Sequence, residues 1–227
     1  MILIILSCFF IFLYILYYIS RDDFVIIRKD VLMGKIFSLA FLSALIALFF
    51  ARFFFVLIHP DPKLFNPLGF LALPYFPGLS LIGGIAAGEL FIFLYATYRK
   101  LPVGKIMDLF TLAFMGVMPL GYAVNFLIHL GKVSLFSNIF LIISVLMLLL
   151  FTKIIYPFSN KGEIKDGSLT LIFSAIFSFL YFLTNLFLNI KTFSFLSVEN
   201  VLILVVLFSS LILLVNQEMI DKFLLKK

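Results

Sequence analysis

Charge is scarce in this sequence. Of its 227 residues only 12% are Asp, Glu, Lys or Arg, about half the fraction a soluble domain carries, which excludes water as the chain's main solvent. Cysteine is nearly absent, and the single Cys8 excludes a disulfide framework and any multi-thiolate metal site. Ile5-Leu6-Ser7-Cys8 has the outline of a lipobox. Yet no basic residue precedes it and the apolar run continues past it, unlike a cleavable signal; a membrane-facing cysteine is the better reading. Only two histidines occur, His59 and His129, and with no carboxylate cluster beside them no metal site is expected. No connection is long enough for a soluble domain and no internal repeat stands out, so a single transmembrane domain is expected over residues 1–227.

What the chain has instead is apolar blocks. Hydrophobic residues make up 64% of it, in runs long enough to cross a hydrocarbon core of about 30 Å, which takes roughly 20 helical residues. In lipid every backbone polar group must be paired internally, so only helices or a closed barrel can span. The runs are unbroken rather than alternating, which excludes the barrel. The fold class is therefore all-α, a polytopic membrane protein of about seven helices. The expected spans are Ile2–Ile19, Val31–Ile58, Leu79–Tyr98, Ile106–Leu130, Leu135–Ile155, Leu169–Ile190 and Val198–Val215.

Basic residues set the orientation, because Lys and Arg are retained on the cytoplasmic side. With the N-terminus outside, thirteen of the 17 Lys and Arg fall in cytoplasmic connections. Only Lys63, Lys132 and Lys191 fall outside, and Arg52 lies within a span. This reading places the C-terminus in the cytoplasm. It also explains the net charge of +6 with no nucleic-acid partner.

Ionisable groups at membrane depth are expensive and usually face a protein interior or a wet cavity. Arg52 lies about 10 Å inside the outer end of span two, and Glu89 lies near the midplane of span three. Three readings remain open for them: a polar cavity that holds a lipid headgroup, a buried pair that fixes the packing of the two spans, or an Arg52 that snorkels outward. Asp108, near the cytoplasmic start of span four, is suited to act as a helix N-terminal anion. His59 and His129 both fall at outer ends, where an imidazole can act as a general base; interfacial histidine is the blander reading. Gly84-x-x-x-Gly88 has the spacing of close helix packing. It follows Gly78-Leu79-Ser80, so backbone N–H groups open to a phosphate are the sharper alternative.

A family resemblance gathers on these residues. Ala51-Arg52-Phe53-Phe54-Phe55-Val56-Leu57, then Asn66-Pro67, Gly78-Leu79-Ser80 and Gly83-Gly84 resemble the second span, outer loop and G-L-S-x-H-G-G signature of the prolipoprotein diacylglyceryl transferases. Leu101-Pro102, Lys105, Asp108-Leu109, Gly121 and Asn125-Phe126 resemble the family's D-…-G-R-x-G-N-F span. Order and gaps fit over about residues 37–127, and residues 135–227 form divergent C-terminal helices. The resemblance implies the cytoplasmic membrane of a bacterium, no cofactor, phosphatidylglycerol as lipid partner and a prolipoprotein as substrate. It implies lipid-binding roles for Arg52, Gly83, Gly84 and Asn125, and structural roles for Asp108 and Gly121.

The departures bear on the chemistry. Ile82 stands where the family has its signature histidine, Tyr122 where it has the arginine, and Val124 where it has the next glycine. Isoleucine cannot move a proton, and tyrosine cannot neutralise a phosphate as a guanidinium does. Any catalytic role would have to fall to His59, Glu89 or Tyr122. The alternative is a non-catalytic relative that binds a lipid or a partner on the same scaffold. A small transporter with Glu89 as coupling site ranks behind both, for want of inverted repeats. A retinal photoreceptor is excluded, since the last span has no lysine for a Schiff base.

Overall fold

The computed structural model describes residues 2–61, 64, 66, 69–70, 78–128, 135–188 and 197–224. Among these, seven helices are long and apolar enough to cross a membrane. In chain order the helices are α1 (Ile2–Arg21), the short α2 (Phe24–Arg28), α3 (Met33–Ile58), α4 (Leu81–Tyr98), α5 (Val103–Ile128), α6 (Leu135–Leu150), α7 (Tyr156–Asn160), α8 (Ser168–Leu188) and α9 (Val198–Leu224). Four expected boundaries, at Ile19, Val31, Leu79 and Ile106, differ from the helix ends by two or three residues, each beside a polar residue or proline, and the expected ends Leu130 and Ile190 lie outside the described residues. The seventh helix runs well past Val215, through Asn216-Gln217-Glu218. Hydropathy marks where lipid ends, whereas a helix continues wherever its backbone bonds and polar contacts persist.

Local chemistry explains the interruptions. Asp23 caps α2, its Oδ1 accepting from the N–H groups of Val25 (3.0 Å) and Ile26 (3.2 Å). Pro157 cannot donate to the carbonyl four residues before it. Just ahead of it the chain widens into a π-helical stretch, Phe151–Ile155, which joins α6 to α7.

Helix α5 is the hub. Its residues Ile106, Leu109, Phe110 and Ala113 join Leu16 of α1, Ile36 and Leu39 of α3 and Ile92 of α4 in one buried cluster. Its residues Leu112, Met115 and Met118 join Ile82 of α4, Phe140 and Met147 of α6, Phe173 and Phe177 of α8 and Ile203 of α9 in a second. The most extensive helix pairings are α3 with α4, α8 with α9, and α1 with α5.

At the end of the bundle rich in Lys and Arg, polar contacts tie the connections together. Lys105 at the start of α5 lies 3.0 Å from Asp23. Gly104 touches the next connection so closely that a Cβ would meet the Asp166 carbonyl oxygen at 2.3 Å. The Glu218 carboxylate accepts from the Lys165 N–H at 2.9 Å, and Gln217 Nε2 donates to the Asp166 carbonyl. These bonds explain why α9 stays helical beyond the apolar run.

Candidate functional site

At the opposite end, Arg52 is 2% exposed. Its guanidinium donates to three backbone carbonyls: Nε to Phe70 (3.0 Å), Nη1 to Gly78 (2.9 Å) and Nη2 to Gly69 (3.1 Å). It also lies 5.6 Å from the centre of the Phe55 ring. Arg52 thus pins the segment that follows α3 back onto that helix. The Ser80 N–H adds a fourth tie, to the Ala51 carbonyl at 2.9 Å. Gly78 is required here: its φ of +151° favours glycine, and a Cβ would sit 2.1 Å from Phe55 Cζ.

The Arg52–Glu89 pair is not formed. Gly84 lies against Ala51, and Gly88 lies against Ala47, so Glu89 is about 9 Å deeper than the level of Arg52, at 1.5 Å per residue. The carbonyls nearer to Arg52 take its donors first. Glu89 turns instead to α8, where the Ser174 hydroxyl donates to its Oε1 at 2.6 Å.

The glycines of α4 serve the helix contact. Ser80 caps the helix, its Oγ accepting from the Gly83 N–H at 3.3 Å while its carbonyl accepts from the Gly84 N–H at 3.0 Å. Both N–H groups are therefore engaged. A Cβ at Gly83 would meet the Phe54 side chain at 2.7 Å, and one at Gly84 would meet Ala51 Cβ at 3.1 Å. Close packing of α3 on α4 accounts for both.

The three catalytic candidates have separate surroundings. His59 is exposed at the end of α3 and stacks on Phe55, ring centres 4.7 Å apart. Glu89 faces Ser174. Tyr122 stacks on Phe140 at 5.9 Å within the second core cluster. Ile82 is fully buried in that same cluster. Asn125 lies in the last turn of α5, and its side chain falls outside the described residues, as do His129 and Pro67. A Cβ at Gly121 would meet only Cys8 Sγ, at an ordinary 3.7 Å.

Asp108 does act as a helix N-terminal anion, but for a different helix than its own. Its carboxylate accepts from the N–H of Gly167 (2.7 Å), the N–H of Thr170 (3.0 Å) and the Thr170 hydroxyl (3.0 Å). It therefore caps α8 from α5. Sequence reasoning placed the anion near a helix start and had no means of saying which one.

A row of polar residues on α8 went unnoticed in the sequence. Thr170, Ser174, Ser178, Tyr181 and Asn185 recur at intervals of three and four, which places them on one face. Thr111 of α5 donates to Thr170 at 3.0 Å. Tyr181 donates to Glu199 Oε1 at 2.8 Å, and Asn185 donates to Asn200 at 3.1 Å. The signal was present in the spacing, but hydroxyls inside an apolar run barely lower its hydropathy.

No family model, curated protein or solved structure matches this chain. Among the described residues, no group of three His, Cys, Asp or Glu could hold a metal ion.

Proposed function

We propose that this chain is a non-catalytic relative of the prolipoprotein diacylglyceryl transferases, which binds an anionic phospholipid at the outer end of its bundle. On this reading it resides in the cytoplasmic membrane of a bacterium, with phosphatidylglycerol as the lipid implied by the resemblance. The observation that carries the reading is the contrast between two neighbouring places. The family's signature histidine and arginine correspond here to Ile82 and Tyr122, and both are packed into one aromatic core cluster. That environment offers a proton no base and a phosphate no cation. Arg52 is retained nearby, its charge opposed only by carbonyl dipoles. Among the described residues no carboxylate lies within ion-pairing distance of it.

The competing reading is an enzyme whose missing groups are replaced by His59, Glu89 or Tyr122. It requires those groups to share a site, and their different neighbours argue against that. Incubating the purified protein with phosphatidylglycerol and a fluorescent lipobox peptide decides between the two. The expected outcome is no diacylglyceryl adduct, with co-purified phosphatidylglycerol that drops in Arg52→Ala. An adduct formed by the wild type and abolished in Arg52→Ala would establish the enzyme instead.

A further inference from the structure

The polar face of α8 does more than hold helices together. From Thr170 to Asn185 it extends about 22 Å along the helix at 1.5 Å per residue, most of the hydrocarbon thickness. Three carboxyl groups from three other helices meet this face: Asp108 of α5 at the Lys/Arg-rich end, Glu89 of α4 at mid-depth and Glu199 of α9 at the opposite end. Each receives a hydrogen bond from an α8 hydroxyl, of Thr170, Ser174 and Tyr181 respectively. Thr170 and Ser174 are further linked, the Ser174 hydroxyl also lying 3.0 Å from the Thr170 carbonyl.

The middle of the row holds an anomaly. Ser178 is fully buried, and its hydroxyl has no hydrogen-bond partner. It sits one turn beyond Ser174 and one turn before Tyr181, between the Glu89 and Glu199 contacts. Burying a hydroxyl unpaired is costly, and an apolar side chain there would cost nothing. Glu89 is likewise unbalanced, since among the described residues no Lys or Arg lies within 4.0 Å of it. A carboxyl group at that depth with one hydroxyl partner is neutral while it holds a proton and charged once it gives the proton up, so a proton is the species it can exchange. A metal ion would need more ligands than the row supplies; a proton needs only the oxygens already present.

We propose that the α8 row is a proton path between the two ends of the bundle, running through Asp108, Thr170, Ser174, Glu89, Ser178, Tyr181 and Glu199. Each hop forms an O–H bond on the accepting oxygen and breaks one on the donating oxygen. One proton taken up at one end is balanced by one released at the other, so no co-reactant is consumed. Hydroxyls one turn apart are separated by about 5.4 Å of rise, a gap that one water bridges with two ordinary hydrogen bonds. Ser178 provides the oxygen such a water needs at the centre. Among the described residues, the other titratable groups around the row are Tyr122, stacked on Phe140, and, at the Lys/Arg-rich end, Tyr156, Lys165, Asp166, Glu218 and Lys105 with its partner Asp23.

The test is proton flux. The full chain is reconstituted into phosphatidylcholine–phosphatidylglycerol vesicles loaded with a pH-sensitive dye, and a potassium diffusion potential is imposed with valinomycin. Wild-type vesicles are expected to change internal pH several-fold faster than protein-free vesicles, and equally fast when sodium is replaced by N-methylglucamine. Glu89→Gln and Ser178→Ala should both return the rate to the protein-free level, while Ser178→Thr keeps it. Ser178→Ala removes a hydroxyl that has no partner, so its thermal midpoint in detergent should equal or exceed that of wild type, separating lost flux from lost fold. Wild-type flux no faster than empty vesicles, flux that requires sodium, or flux unchanged in both variants would each overturn the path.

Discussion

Removing the Asp108 carboxylate strips the acceptor from three donors at once, the N–H groups of Gly167 and Thr170 and the Thr170 hydroxyl. Each buried donor left unpaired costs about 1–3 kcal/mol, and Asp108 is only 3% exposed. Asp108→Ala should therefore lower stability by at least about 3 kcal/mol, read as the midpoint of denaturant unfolding in detergent. Asp108→Asn keeps one carbonyl oxygen and should lose less. Gly78 makes a sharper local case. Alanine there meets both an unfavourable φ and the Phe55 ring, so Gly78→Ala should expose the segment after α3 to proteolysis from the outer side, whereas Gly121→Ala, with room at its position, should leave digestion unchanged. At this scale the sequence was a good guide to which residues are unusual. Arg52, Glu89 and Asp108 were all singled out, but of the three readings left open for the first two the buried pair is not formed, because an antiparallel neighbour puts Glu89 too deep.

At the scale of elements, α3 and α4 touch through small residues. Gly84 faces Ala51 and the Ala47 carbonyl oxygen, and Gly88 faces Ala47. Gly84→Leu should force the two helices apart and cost about 1–3 kcal/mol, as overpacking does. Gly34→Leu is the control, with nothing within 4 Å of its Cβ position, and should change stability by no more than about 0.5 kcal/mol. Thermal unfolding of the two variants side by side checks the difference. The Gly84-x-x-x-Gly88 spacing made this contact legible, because helix packing in lipid depends on close backbone approach. The polar face of α8 was equally regular and escaped notice, because its hydroxyls lie among Phe and Leu that dominate any hydropathy average.

At the scale of the whole molecule, the charge asymmetry makes the orientation testable. With Cys8 replaced by serine, a cysteine introduced at Asp61 should be labelled by an impermeant maleimide from outside intact cells. One introduced at Lys161 should be labelled only after the membrane is opened, as the distribution of Lys and Arg requires. Equal labelling of both positions in intact cells would reverse the assignment.

The sequence by itself determined the class, the number of spans and the charge asymmetry, since each depends on properties that add up along a stretch of chain: apolar length, backbone pairing and loop charge. Only the tertiary structure decided that Asp108 caps α8, that Arg52 holds the carbonyls of residues 69, 70 and 78, and that Glu89 turns to Ser174. Those choices depend on how each helix is rotated and how deep its neighbours sit, and lipid, which rewards any apolar surface alike, leaves both to side-chain packing.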